Sequence, residues 1–255
     1  MKIIPNLFTL LNLFFGCLAV ILILQNGIMA LDNQDSGLQY IDMPEKTTLA
    51  SIFIGLAALV DFLDGLVARL FKATSPLGKE LDSLADVVSF GVAPGMILYQ
   101  LLRLSWAAQA NGLDVSVGWL LPALLIPCAA AYRLARFNID DTQQYGFKGV
   151  PTPAAGLLIA SLPLIYWYTH SDKVRDALRD KWVLYGLILG VAWLMVSNLP
   201  LMALKFNNSS MRNNMPKLIL MALAVIAAIF LQWLAVPVVF VVYIIVSLAF
   251  KNRTT

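Results

Sequence analysis

The chain has 255 residues, 60% of them hydrophobic and 13% charged, a balance far too apolar for a domain whose solvent is water. Its net charge of +3 is spread over many short polar segments with no dense basic run, which excludes a nucleic-acid surface. Apolar stretches near the length that crosses about 30 Å of hydrocarbon recur along the sequence. The expected fold is therefore an all-α membrane protein: a polytopic bundle of about eight transmembrane helices forming one domain over residues 1–255.

In chain order, hydropathy predicts spans at 5–27, 48–71, 79–102, 119–137, 152–169, 182–202, 216–232 and 235–250. The first follows only Lys2 and lacks a small-residue cleavage site, so it is expected to be a retained helix. Between the first two spans, residues 27–46 carry Asp32, Asp35, Asp42 and Glu45 and read as a solvated loop. Gln232, Trp233 and Pro237 are the only turn signals in the last apolar run, which is either one span or two. Cys17 and Cys128 fall inside apolar spans at unrelated spacings and are expected to be buried packing residues, neither disulfide nor metal pair.

Cytoplasmic loops are enriched in Lys and Arg. With the N-terminus inside, Lys2, Arg69, Lys72, Lys79, Arg133, Arg136, Lys148, Lys205, Arg212, Lys217, Lys251 and Arg253 share one side. Lys46, Arg103, Lys173, Arg175, Arg179 and Lys181 fall on the other, the last four alternating with Asp172, Asp176 and Asp180 in a short charged segment suited to the interface. Trp106, Trp119, Trp167, Trp182 and Trp233 also fall at the outer ends, as interfacial tryptophans do. His170 is expected to sit there, exposed.

The chemistry concentrates between residues 61 and 86, DFLDGLVARLFKATSPLGKELDSLAD. Asp61 and Asp64 are three apart and Asp82 and Asp86 four apart, so each pair projects to one side of its helix. Ser75 and Pro76 mark the turn between, and two antiparallel helices would bring four carboxylates together facing the cytoplasm. One Asp at the centre of a membrane helix costs about 2.5–3.5 kcal/mol on insertion scales. Four together need water or cations, and an all-oxygen ligand set favours Mg²⁺, Mn²⁺ or Ca²⁺ over Zn²⁺. Such ions at a membrane boundary suit a diphosphate substrate. Gly65 and Ala68 leave the same face bare, either for a ligand or for helix packing, and Arg69 lies beside them for phosphate oxygens. A cation transporter would also use membrane carboxylates, but near the midplane, among broken helices.

Asp61, Asp64, Gly65, Ala68, Arg69, Gly78, Asp82 and Asp86 fill every position of D-x2-D-G-x2-A-R-x8-G-x3-D-x3-D, and in this the chain resembles the CDP-alcohol phosphatidyltransferases. Within that family it is most similar to bacterial members that use serine, through PNLFTLLNLFFG at 5–16, SPLGKELDSLADVVSFGVAPG at 75–95, YRLARFN at 132–138 and GVPTPAA at 149–155. The resemblance implies a six-helix catalytic core with extra helices at about 216–250, and the substrates CDP-diacylglycerol and L-serine. Other acceptors, such as glycerol 3-phosphate or an inositol phosphate, stay open. It implies one divalent ion, Mg²⁺ or Mn²⁺, on Asp61, Asp64 and Asp82, a second on Asp61, Asp82 and Asp86, and Asp86 as general base. Gly65, Ala68, Arg69 and Gly78 would line the nucleotide and phosphate site. Asn6, Thr9 and Asn12, three apart on the first helix, would lie near the nucleotide, although Asn12 equally suits an interhelical hydrogen bond. Arg133 and Arg136, with Lys79 and Lys148 as weaker candidates, would hold serine or phosphate, or snorkel to the lipid boundary. The resemblance also implies a homodimer among the lipids of a bacterial cytoplasmic membrane.

Overall fold

The computed structural model describes residues 3–25, 29–33, 38–42, 45–70, 75–108, 115–140, 146–202 and 211–249. Its helices are α1 (Ile3–Leu24), α2 (Lys46–Leu70), α3 (Pro76–Val87), α4 (Ala93–Ala107), α5 (Leu125–Ile139), α6 (Thr152–Tyr168), α7 (Asp172–Arg179), α8 (Lys181–Val196), α9 (Met211–Leu231) and α10 (Ala235–Ala249). Among the described residues, Pro5–Leu24, Lys46–Val67, Pro76–Ala107 and Lys217–Ala249 are long and apolar enough to cross a membrane, and Thr152–Tyr168 and Lys181–Val196 are shorter apolar helices. Leu7, Phe14, Phe62, Ile229 and Phe230 point outward, as the side chains of a lipid-facing surface do. The protein is an integral membrane protein.

The longest rod is made of three pieces. Ser75 caps α3, its hydroxyl accepting from the Gly78 N–H at 3.0 Å, and Pro76 occupies the first turn, where its missing N–H costs nothing. A π-helical turn, Val88–Val92, then joins α3 to α4 without a break. This rod packs against α1, α5 and α6, and α6 is buried along most of its length. Two close approaches fix the packing. A β-carbon on Gly156 would come within 2.8 Å of Phe90 Cβ, and one on Gly91 within 2.8 Å of Ala130 Cβ, so α6 and α5 both lie hard against the π turn.

Several boundaries depart from hydropathy. The span read as 119–137 begins as two 3₁₀ turns, Val117–Trp119 and Leu121–Leu124, before α5, because Pro122 and Pro127 remove N–H donors from a regular helix there. The span read as 182–202 is helical only to Val196. Ser197 turns to extended backbone, and Pro200–Met202 becomes strand β4. In the loop read as 27–46, Met29–Asn33 (β1) and Leu38–Asp42 (β2) form an antiparallel pair. Gly146–Lys148 (β3) pairs antiparallel with β4, and Gly149 follows at φ +77°, where a β-carbon would meet the Met195 carbonyl at 2.5 Å. Cys17 and Cys128 are free thiols and exposed, not buried: an apolar span offers hydropathy no way to tell its outer face from its core face.

The charged segment at 172–180 is the short helix α7. Arg179 binds the Tyr166 hydroxyl, Arg175 pairs with Asp172, and Lys181 sits 3.9 Å above the Trp106 ring, so these basic groups are held by interfacial partners. Trp106 and Trp119 stack at 5.5 Å, and Tyr185 links both by hydrogen bonds. Trp106 lies twenty residues beyond Asp86 on one rod, about 30 Å at 1.5 Å per residue, so the Trp106–Trp119 cluster and Asp86 lie toward opposite ends of it. At the tryptophan end His170 is exposed, as expected. Gln232, at φ +50°, turns the chain between α9 and α10, which pack against each other as two helices.

Gly156→Ala should destabilise the detergent-solubilised protein by about 1–3 kcal/mol, through overpacking against Phe90. Gly186→Ala and Gly190→Ala, where a β-carbon meets nothing within 4 Å, should melt no lower than wild type. Unchanged melting of Gly156→Ala would show that α6 does not approach the π turn this closely.

Candidate active site

Asp61 and Asp64 lie in the last turns of α2, and Asp82 and Asp86 on α3. One carboxylate oxygen each from Asp61, Asp64 and Asp82 comes within 4.8 Å of the others. Asp64 is buried, and Asp82 Oδ1 is buried without a hydrogen-bond partner. Asp86 is also buried and stands outside this group of three, within electrostatic reach of all of them and of Arg133 on α5.

What joins the two acidic pairs is α1, which packs against both α2 and α3. Each of its three spaced polar residues meets one part of the acidic motif. Asn6 lies over Gly78, where a β-carbon would come within 3.1 Å of its Oδ1. Thr9 donates to Asp64 Oδ2 at 2.9 Å, and Asn12 donates through Nδ2 to Asp86 Oδ1 at 3.3 Å. Asn12 thus makes the interhelical bond that sequence left open. Its backbone carbonyl accepts from Ser89 in the π turn at 3.0 Å, and Gly16, one turn on, leaves room for Ser89, whose Oγ would lie 2.3 Å from a β-carbon there. Asn12 Oδ1 is buried and unpartnered, an acceptor directed among these helices.

The basic candidates separate. Arg133 is buried, donates to Thr152 Oγ1 at 3.0 Å, lies 5.8 Å from the Phe137 ring, and keeps Nε without a partner. Arg136, one turn on, bonds to the Val196 carbonyl at 3.3 Å and to the Asn198 amide oxygen, tying α5 to the end of α8. Lys79 donates to the Asn138 carbonyl at 3.1 Å, and Lys148 pairs with Asp140 at 2.8 Å. Gly65 lies in open space, with nothing within 4 Å of where a β-carbon would stand. The side chains of Ala68 and Arg69 lie outside the described residues. Ser89 and Thr152 were missed as contributors. Both belong to stretches that carry the resemblance, but nothing in their spacing names the partners they reach.

The residues present fit a hard divalent cation. Three carboxylates converge, one buried oxygen among them has no hydrogen-bond partner, and among the described residues no His or Cys joins the group. Uncompensated, the same charges would repel strongly in so poorly polar a setting.

Fold and site together define an integral membrane protein with an acidic centre of three carboxylates that could hold a metal ion. The chain belongs to the CDP-alcohol phosphatidyltransferase family, whose model matches residues 2–196. It is 34% identical over 165 residues to the CDP-diacylglycerol–serine O-phosphatidyltransferase of Mycobacterium leprae, covering 60% of this chain but only 48%, about half, of that relative. It is 32% identical over 200 residues to the Helicobacter pylori protein of the same name, covering 76% of this chain and 70% of the other. The Mycobacterium tuberculosis protein of that name is 30% identical over 258 residues, with 95% and 76% covered.

If the three carboxylates bind a cation, Mg²⁺ or Mn²⁺ at about 100 times its Kd should stabilise the folded protein by about 2.7 kcal/mol. Asp82→Asn should lose most of this gain, and without divalent ions it should melt no lower than wild type, because one repelling charge is gone. Thermal melting in detergent with and without the ion checks both, and melting indifferent to divalent ions would remove the cation from the site.

Proposed function

We propose that the protein transfers the phosphatidyl group of CDP-diacylglycerol to the hydroxyl of L-serine, giving phosphatidylserine and CMP. The observation that carries this reading is the pairing of a three-carboxylate centre with a buried arginine whose Nε has no partner, both within electrostatic reach of Asp86. The shared name of the bacterial relatives supports serine as the acceptor. Serine also differs from a plain alcohol in its carboxylate, which suits a guanidinium.

In this reading the serine hydroxyl oxygen attacks the phosphorus bearing diacylglycerol. Asp86 takes its proton as the new phosphorus–oxygen bond forms, the bond to the bridging oxygen breaks, and CMP leaves with that electron pair. Asn12 aims the Asp86 carboxylate, and Thr9 aims that of Asp64. Asp61, Asp64 and Asp82 would hold Mg²⁺ or Mn²⁺, with Asp86 bordering a second ion. Bound there, the metal would neutralise the diphosphate and favour departure of CMP. Gly65 leaves its helix face open for the nucleotide, and Asn6, Thr9 and Gly78, with Ala68 and Arg69 as the family resemblance implies, would complete that side. Arg133 receives the serine carboxylate, with Arg136 and Lys79 bracing the rim.

The excess of Lys and Arg on the carboxylate side supports a site facing the cytoplasm, in a bacterial cytoplasmic membrane. A homodimer follows from the family resemblance alone.

Protein in vesicles containing CDP-diacylglycerol and a divalent ion should convert labelled serine to labelled phosphatidylserine with release of CMP. Turnover of glycerol 3-phosphate or an inositol phosphate in its place would replace serine as the acceptor, and ion flux without CMP release would replace the enzyme by a transporter. Asp86→Asn should lower kcat by about 10²- to 10⁴-fold while CDP-diacylglycerol still binds. Arg133→Ala should raise the KM for serine by about 10- to 100-fold, the worth of a charged hydrogen bond, with little change for the lipid substrate. Wild-type kinetics in either variant would strike that residue from its role.

A further inference from the structure

The region matched by the family model ends at residue 196, yet the chain beyond it returns to the site. The Gly149 N–H donates to the Leu199 carbonyl at 2.9 Å and the Val150 N–H to Leu194 at 3.0 Å, while β4 pairs with β3 just before them. Two residues further on, Thr152 accepts the Arg133 hydrogen bond. The strand that grips this segment is itself held at its far end, where the Tyr243 hydroxyl on α10 donates to the Met202 carbonyl at 3.0 Å.

Tyr243 stands in a helix, AVPVVFVVYIIVSLA, whose one other polar residue is the buried Ser247 one turn on, and is only 8% exposed. A phenol there needs a partner, and a strand carbonyl supplies one. Helix α10 packs on both α6 and β4, and Tyr243 lies within electrostatic reach of Arg133 itself. Tyr243 therefore bears on the arginine through the chain of bonds that runs from Met202 along β4 and β3 to Thr152.

We propose that Tyr243 is a positioning residue for the acceptor side of the site, holding β4 and the Arg133 guanidinium in the register that receives the acceptor's carboxylate. The α9–α10 hairpin is then a working wall of the site and not packing added to a finished catalytic bundle. This rests on Arg133 binding the acceptor, as in the function proposed above.

The test uses the full chain with Tyr243→Phe, which removes one oxygen and keeps the ring. The KM for serine should rise about 5- to 10-fold, the loss of one buried hydrogen bond's worth of order, with kcat at saturating serine and the KM for CDP-diacylglycerol within about twofold of wild type. Ile245→Ala, on the outward side of the same helix, should change none of these. A merely structural tyrosine would lower stability and impair both substrates in parallel. That outcome, or an unchanged KM for serine, overturns the proposal. If Tyr243→Phe does not fold, Tyr243→Leu, which likewise lacks the hydroxyl donor, must show a serine-selective defect in its place. If Arg133→Ala leaves the serine KM unmoved, the acceptor site itself is wrong. If Arg133→Ala raises it and Tyr243→Phe does not, only the role of Tyr243 falls.

Discussion

Carboxylates at a membrane boundary are tolerated only where other groups compensate them, and this requirement organises the whole bundle. Helix α1 meets part of it. Thr9 and Asn12 reach Asp64 and Asp86 on two different neighbours, so α1 must lie against both α2 and α3. That position in turn demands small residues where helices touch. Gly78 admits Asn6 and Gly16 admits Ser89. Among the described residues Asp82 Oδ1 has no hydrogen-bond partner, and it lies where oxygens of Asp61, Asp64 and Asp82 converge, which is why the site reads as a place for a cation.

The second constraint is that one rod must serve two purposes. Its first half presents Asp82 and Asp86 to the site, while its second half, α4, fills the hydrophobic core with Ile97, Leu98, Leu101 and Leu102. A regular α-helix would carry one face straight through. The π turn at Val88–Val92 adds a residue to the turn and rotates the face between the two halves, as π turns beside functional sites commonly do. Its own residues lock the rotation: Ser89 on the Asn12 carbonyl, Phe90 against Gly156, Gly91 against Ala130.

The acidic pairs were legible because helical spacing alone sets which side chains share a face. The polar stripe at Asn6, Thr9 and Asn12 was visible for the same reason, but its partners lie 55 to 74 residues away, and periodicity carries no such distance. The π turn left no trace, since VSFGV is as apolar as the helix around it. Hydropathy overran α8 into Pro200–Met202 because a buried strand and a buried helix end are equally apolar. For Cys17 and Cys128 it had no means to tell outer face from core face. Arg133 and Arg136 looked alike in sequence. Only packing separates them, burying one beside Asp86 and tying the other to the end of α8.

The site that results is polarised. Asp61, Asp64 and Asp82 gather where α2 and α3 meet, the buried Arg133 stands on α5, and both are within electrostatic reach of Asp86. A group so placed is suited to accept a proton from a molecule whose own anionic end is held by the arginine, because the two charges of that molecule are then bound at different places and its hydroxyl has one orientation left. The acidic half is braced from within the family's shared helices, by α1. The basic half is braced from Thr152 and the β3–β4 clamp, which leans on α10. In the function proposed above, the catalytic and leaving-group chemistry falls on the side braced by α1 and the acceptor on the side braced through α10.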